Sequence, residues 1–374
     1  MCMTLSINVR KSIIAYAMVL NFSPSIIIDN VIHINQLLMV LIFTSLLVYT
    51  GCVNSAKVFK TAIENKDIDT MKQKDALLFP VIGGSVLVGL YLIFKYFDKD
   101  YINVLFQIYF SFIGAYSIGC MFAEKLAESP KFKPYSDKVL FTIPKIPVLN
   151  DKECPVNQLE MICLLPGSVF GVGYFFIKNW MLNNLFGAVF SIFGIENMLL
   201  GQYKVGCLLL VLLFFYDIFF VFYTPIMVGV AKKLQGPIKL MFPKIVGATE
   251  PTDFNLIGLG DIVIPGVFVA LMLRYDVVRY IRKNGKVENV PMNLKNFKYF
   301  YATLTGYVLG IVVTLAIMVL FNHAQPALLY LVPGCLLSSL LVAVVSGDFK
   351  EMWEFNEEHA QQEIVELTDK KKKE

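Results

Sequence analysis

Apolar residues in this chain come in blocks of about 20, and the polar residues between them fall in short clusters. A block of 18 or more apolar residues with almost no charge has the length a helix needs to cross the hydrocarbon core of a bilayer. The blocks predict spans over 34–53, 76–96, 101–123, 159–177, 180–200, 205–230, 254–273, 300–321 and 326–345. The fifth is weaker, because Asn183, Asn184, Glu196 and Asn197 interrupt it. Residues 12–28 form one more apolar stretch behind Arg10 and Lys11, with the form of a signal-peptide core or a short extra span. Asn21 and Pro24 inside it count against the span. The expected fold is an all-α, polytopic membrane bundle of nine helices.

Composition agrees with the pattern. Of 374 residues, 56% are hydrophobic and 17% charged, and the mean hydropathy is +0.63. Soluble domains carry about 25% charged residues. A disordered, collagen-like or nucleic-acid-wrapping chain is excluded, and the net charge of +4 is too small to change that. Where the charges lie says more. The segments 54–75, 124–158, 201–204, 274–299 and 346–374 hold 24 of the 33 Lys and Arg residues. Positive segments stay cytosolic, so the N-terminus is expected in the lumen and the C-terminus in the cytosol. The expected organisation is a short luminal arm over 1–33, five helices over 34–200, four helices carrying the chemistry over 201–345, and a cytosolic tail over 346–374. Asn21-Phe22-Ser23 is a possible glycosylation site on the luminal arm. The seven cysteines stand singly and the three histidines far apart, so no disulfide framework, metal or cofactor is expected.

Two carboxylates stand where a bilayer disfavours them. Asp217 is the only charge in 205–230 and Asp261 the only one in 254–273. An ionisable side chain at mid-span costs about 2.5–3.5 kcal/mol on insertion scales and marks function by default. The two lie 44 residues apart on consecutive spans, which can pack as antiparallel neighbours. Two carboxylates at one place in low dielectric keep one proton between them. The ionised member then activates a water, while the protonated one polarises a peptide carbonyl and later protonates the leaving amine. Gly258 and Gly260 before Asp261, and Pro225 and Pro265 beyond the acids, predict loosened backbone there. Spacing alone leaves other readings open: a helix contact, an ion ligand, the relay of a proton-coupled transporter, or a non-catalytic protein that escorts membrane segments. Glu196, in a span dotted with polar residues, is expected to serve packing.

Three strings carry a resemblance. FFYDIFFVF (214–222), LIGLGDIVIPG (256–266) and QPALLYLVP (325–333) are similar to the YD, GxGD and PAL signatures of the presenilin-type intramembrane aspartyl proteases. NNLFGAVFSIFGIE (183–196), GPIKLMFP (236–243) and FVALMLRYD (268–276) resemble the signal peptide peptidase branch. The resemblance is strong over 180–345 and implies a nine-helix bundle. It implies that Asp217 and Asp261 are the catalytic pair, flanked by Tyr216, Gly258, Leu259 and Gly260. It implies that Pro326, Ala327 and Leu328 shape the site and hold the unwound substrate. The implied enzyme is an endopeptidase without cofactor in the endoplasmic reticulum membrane. Its implied substrates are type II segments, chiefly signal-peptide remnants, with some tail-anchored proteins. Homo-oligomers and quality-control partners belong to the same expectation, and nucleic acid does not. Lys371 and Lys372 match a KKxx retrieval tail. The chain departs from the family at Gly236, and at Gly334-Cys335 after the third string, a change expected to bear on packing of the last span.

Overall fold

The structure is a computed structural model that describes residues 24–65, 70–136, 138–143, 154–177, 179–243, 254–284, 297–321 and 326–371. Helix α1 (Pro24–Asn65) is followed by α2 (Gln73–Tyr96), α3 (Lys99–Ala127) and the single turn α4 (Lys133–Ser136). Strands β1 (Val139–Ile143) and β2 (Cys154–Asn157) pair antiparallel before α5 (Gln158–Phe176) and α6 (Trp180–Asn197). Polar residues between the apolar blocks start the helices. Asp75 reaches back to the Lys72 N–H at 2.9 Å and Glu160 to the Asn157 N–H at 3.1 Å, while Asn179 accepts the Met181 N–H at 2.9 Å. Each satisfies a donor that the first turn of a helix leaves open.

The second half begins with α7 (Tyr203–Ile218), which widens into a π-turn over Phe219–Tyr223 before α8 (Ile226–Lys233). Strands β3 (Lys239–Pro243) and β4 (Phe254–Gly258) form an antiparallel hairpin that leads straight into α9 (Gly260–Asn284). Helices α10 (Lys298–Phe321) and α11 (Leu328–Ser346) follow, then α12 (Phe349–Trp353) and α13 (Glu357–Lys371). Seven helical stretches among the described residues are long and apolar enough to cross a membrane. The other two expected spans are helical as well, as α6 and α9, but carry polar side chains turned inward.

Helix α9 is the axis of the bundle. It packs against α1, α6, α7, α10 and α11, and most of its residues from Ile262 to Ile281 are buried. A helix surrounded on all sides is apolar all round, which is why 262–273 reads as unbroken hydrophobic sequence. Small residues let backbones touch where side chains would hold them apart. A methyl placed on Gly266 would lie 2.5 Å from Ile195 Cδ1 of α6. Gly306 of α10 and Gly334 of α11 face each other so closely that a methyl on Gly306 would meet the Gly334 carbonyl oxygen at 2.2 Å. At the family departure after QPALLYLVP, Gly334 thus stands where the last helix packs closely on α10. Helix α2 is the opposite case, with only Ala76, Gly84 and Phe94 buried.

Three expectations need correction. Residues 205–230 are not one span, because Pro225 offers no N–H and the helix breaks between Tyr223 and Ile226. The segment 254–273 opens as a strand, so Asp261 stands in the first turn of α9 rather than at mid-helix. Helix α9 does not stop at residue 273, since Arg274 finds a buried partner in Glu357 and Asp276 accepts the Phe300 N–H at 2.9 Å. The tail is folded, with α13 packed on α1 and α9. Asn21 and Lys372 lie outside the described residues, and Lys371 is the last residue of α13.

Candidate active site

Asp217 arrives one residue before the end of α7 and is only 3% exposed. The π-turn that follows widens the helix by one residue per turn, a distortion common at functional sites. The carboxylate lies beside the backbone N–H of Leu328, the first residue of α11. A helix N-terminus carries partial positive charge, so it is a suitable neighbour for an anion. The second oxygen, Oδ2, is buried with no hydrogen-bond partner among the described protein atoms. Buried polar atoms are normally paired, and this one is free to hold a proton or a reacting oxygen.

Asp261 is placed by the hairpin. The ladder runs from Lys239 opposite Gly258 to Pro243 opposite Phe254. Leu259 continues it by donating its N–H to the Ile238 carbonyl at 2.9 Å, then accepts from Ile262 and Val263 as α9 begins. One residue thus joins strand pairing to helix pairing, and Asp261 follows two positions on. Its carboxylate lies back over Gly258, beside that residue's N–H. A methyl on Gly258 would lie 3.3 Å from Asp261 Oδ2. Gly258→Ala is therefore expected to displace the carboxylate and lower cleavage by about tenfold to a hundredfold. Thermal unfolding in detergent should move little, and a lost midpoint in place of lost activity would count against the positioning role.

The outer edge of the hairpin is held by α6. Asn184 accepts the Met241 N–H and donates to the Met241 carbonyl, both at 2.7 Å, and Asn183 donates to the Lys239 carbonyl at 2.8 Å. An amide side chain here takes the place of a neighbouring strand. These residues register in the sequence only as interruptions of an apolar block. The signal that could have singled them out is their pairing: two adjacent amides in a span must find backbone partners.

Asp217 and Asp261 interact electrostatically across the contact of α7 with α9. Buried Tyr307 of α10 lies near enough to act on Asp261 as well. Pro326 and Ala327 build the entry to α11, with the Pro326 carbonyl accepting from Leu329 and the Ala327 carbonyl from Leu331. Asp217, Asp261, Gly258, Leu259 and Leu328 thus meet at one place. Gly260 is exposed as the first residue of α9. The Tyr216 ring lies tilted against Phe220 at 4.6 Å and faces Gly83 and Gly84 of α2, within electrostatic reach of Asp217. Glu196, 6% exposed, accepts from Asn54 at 3.2 Å, a helix contact. Among the described residues no group of three or more His, Cys, Asp and Glu is placed to hold a metal.

Comparison with known proteins adds an independent line. The family model described as signal peptide peptidase matches residues 63–359. The signal peptide peptidase of Mus musculus is 37% identical over 88% of this chain and 85% of that protein. That of Homo sapiens is 37% identical over 85% and 82%, respectively. Intramembrane protease 2 of Caenorhabditis elegans is 43% identical over 54% of this chain and 43% of its own length. Nothing among these relatives supports the transporter reading. Likeness over this much of the chain, on a bundle that brings Asp217 and Asp261 within electrostatic reach of each other, makes the protein a member of the signal peptide peptidase family and an intramembrane aspartyl protease.

Proposed function

We propose that Asp217 and Asp261 are the catalytic pair, acting on type II membrane segments, chiefly signal-peptide remnants, at the endoplasmic reticulum membrane. The observation that carries this reading is the convergence of two lone intramembrane carboxylates with the N-terminus of α11. The pair holds one proton. The ionised carboxylate takes a proton from a water, whose oxygen attacks the peptide carbonyl carbon while the protonated carboxyl donates to the carbonyl oxygen. The tetrahedral species collapses as the amine nitrogen takes a proton and the C–N bond breaks. One carboxylic acid and one amine leave, and the pair regains its single proton. The titration belongs to the pair, so neither role is fixed to one residue.

A helical substrate hides its peptide bonds in its own hydrogen bonds and must be opened first. Among the described residues strand β4 pairs with β3 on one side only, and Leu256 on it is 50% exposed. A substrate segment added on the open edge of β4 runs directly toward Asp261, with the Pro326–Leu328 turn on the far side. The thinly packed α2, which touches α7 through Gly83 and Gly84, borders the approach from lipid. The bias of Lys and Arg toward one side supports a luminal N-terminus and a cytosolic C-terminus, where Lys371 and Lys372 serve as a retrieval signal. Homo-oligomers and quality-control partners of the endoplasmic reticulum complete the proposal, with tail-anchored and misfolded membrane proteins as further substrates.

The test is orientation. In vesicles containing the purified full chain, a signal-peptide reporter inserted with its N-terminus on the side of the protease's C-terminus is expected to be cut. The same apolar sequence inserted the other way is expected to survive. Equal cleavage of both would remove the orientation from this reading, and cleavage of neither would remove the substrate.

A further inference from the structure

Beside the hairpin, at the end of the bundle where Asp261 begins α9, lies a cavity of about 260 Å³. Lys232 of α8 and Lys239 of β3 line it together with Gln107, Asn183, Trp180 and Gln235. No Asp or Glu is among its described lining residues. Lys239 spends one N–H on the Ala231 carbonyl at 2.7 Å and keeps two. Burial pulls this lysine below the ordinary lysine range, and an anion beside it would restore its charge. The amides add the complementary feature. Gln107 uses its Nε2 on the Tyr174 and Phe175 carbonyls, and Asn183 uses its Nδ2 on the Lys239 carbonyl. Each therefore keeps a side-chain oxygen that accepts.

Two ammonium groups beside two amide acceptors match a ligand that carries an anionic head and an N–H donor next to it. A peptide C-terminus has both, whereas a phosphodiester has oxygens only. Location agrees. Lys239 is the cross-strand partner of Gly258, three residues before Asp261, and neighbouring strands lie about 4.8 Å apart. A segment lying on β4 needs only a few residues, at about 3.4 Å each, to bring its end round the hairpin. We propose that this cavity receives the C-terminal carboxylate of the substrate. Segments already released by an upstream hydrolysis are then preferred over the same segments in an uncut chain. The proposal rests on the reading of the protein as a protease of signal-peptide remnants.

Two reporter peptides that differ only in ending as a carboxylate or a carboxamide test it with the full chain in vesicles. The carboxamide is expected to raise KM about fivefold, the scale of one partly exposed ion pair. In Lys239→Gln, and in Lys232→Gln outside the hairpin, the ratio of the two KM values should fall toward one. The ratio is internal to each variant, so a general loss of activity does not mimic it. Equal KM values in the unsubstituted protein would overturn the proposal. So would a Lys239→Gln effect that follows the anionic lipid content of the vesicles and ignores the peptide terminus, since the cavity would then hold a headgroup. Affinity of the two peptides for Asp217→Asn gives a readout independent of turnover. If no peptide is cut but the carboxylate peptide binds more tightly, the protease reading fails and the carboxylate site stands.

Discussion

Asparagine in place of either Asp217 or Asp261 is expected to lower kcat for a signal-peptide reporter by about a thousandfold or more, within or beyond the range that one positioned acid or base supplies. The substitution is nearly isosteric. The side-chain oxygen beside the Leu328 or Gly258 N–H is retained, so the site keeps its shape and loses its proton chemistry. Stability should hold or rise, because an amide is cheaper to bury than a carboxylate. The double variant should be little worse than either single one, since the two groups act as a unit. The rate should follow pH as a bell whose two limbs belong to the pair. Reporter cleavage and detergent melting curves of the three variants decide the matter. Cleavage retained in either single variant would dismiss the pair as the site of chemistry.

How much of this site stands in the sequence depends on which physical rule each residue obeys. Asp217 and Asp261 stand out because a bilayer penalises charge, and an isolated acid in an apolar block needs no structure to be noticed. Their neighbours divide. Leu259 and Gly260 read as a loosened helix, yet Leu259 is the residue at which strand pairing passes to helix pairing. That role depends on Ile238, 21 positions earlier in the chain, and hydrophobic periodicity carries no such long-range term. Residues 239–243 and 254–258 are too short, and too close to apolar spans, to declare themselves as strands. Tyr216 shows what adjacency leaves open: neighbours on a helix point about 100° apart, so a place beside Asp217 in the chain does not fix where the side chain goes. The ring lies against α2 while staying within electrostatic reach of Asp217.

Span counting worked where helices face lipid and weakened where they face protein. Lipid-facing residues must be apolar, so α2, α3, α5, α10 and α11 follow the hydropathy pattern closely. Asn183 and Asn184 escape that rule by bonding the hairpin edge, and the same polarity that made this span look weak holds Asp261 in place. The charges of residues 274–284 read as a loop between spans, whereas α9 carries them as helix with the folded tail for a partner.

That tail supplies the second large effect. Arg274 and Glu357 are both fully buried, with Arg274 Nε 2.5 Å from Glu357 Oε1 and Nη1 2.6 Å from Ser55 Oγ. Glu357 also accepts the Gly201 N–H at 3.1 Å, and its own N–H goes back to the Gly201 carbonyl at 2.7 Å. Gly201 turns with φ of 74°, a conformation that suits glycine, so the chain can enter α7 around this point. One ion pair thereby ties the tail, α1, α9 and the start of α7. Removing one partner strands the other charge without water, at a cost of about 3–5 kcal/mol. Arg274→Met and Glu357→Leu are each expected to lower the melting midpoint in detergent by at least about 6 °C. The double variant should recover most of that loss, because an apolar pair of similar volume carries no stranded charge. Lys57 with Glu128, at 3.1 Å but 52% and 65% exposed, is the control, and its loss should leave the midpoint nearly unchanged. The outer attachment of the tail is half-buried: hydrogen bonds from Lys298 and Arg279 hold the Asp348 carboxyl down at about 2. If Arg274→Met melts like the Lys57 control, the pair is solvated and the tail is not a clasp. If the double variant stays as unstable as the singles, geometry rather than charge holds this end of the bundle together.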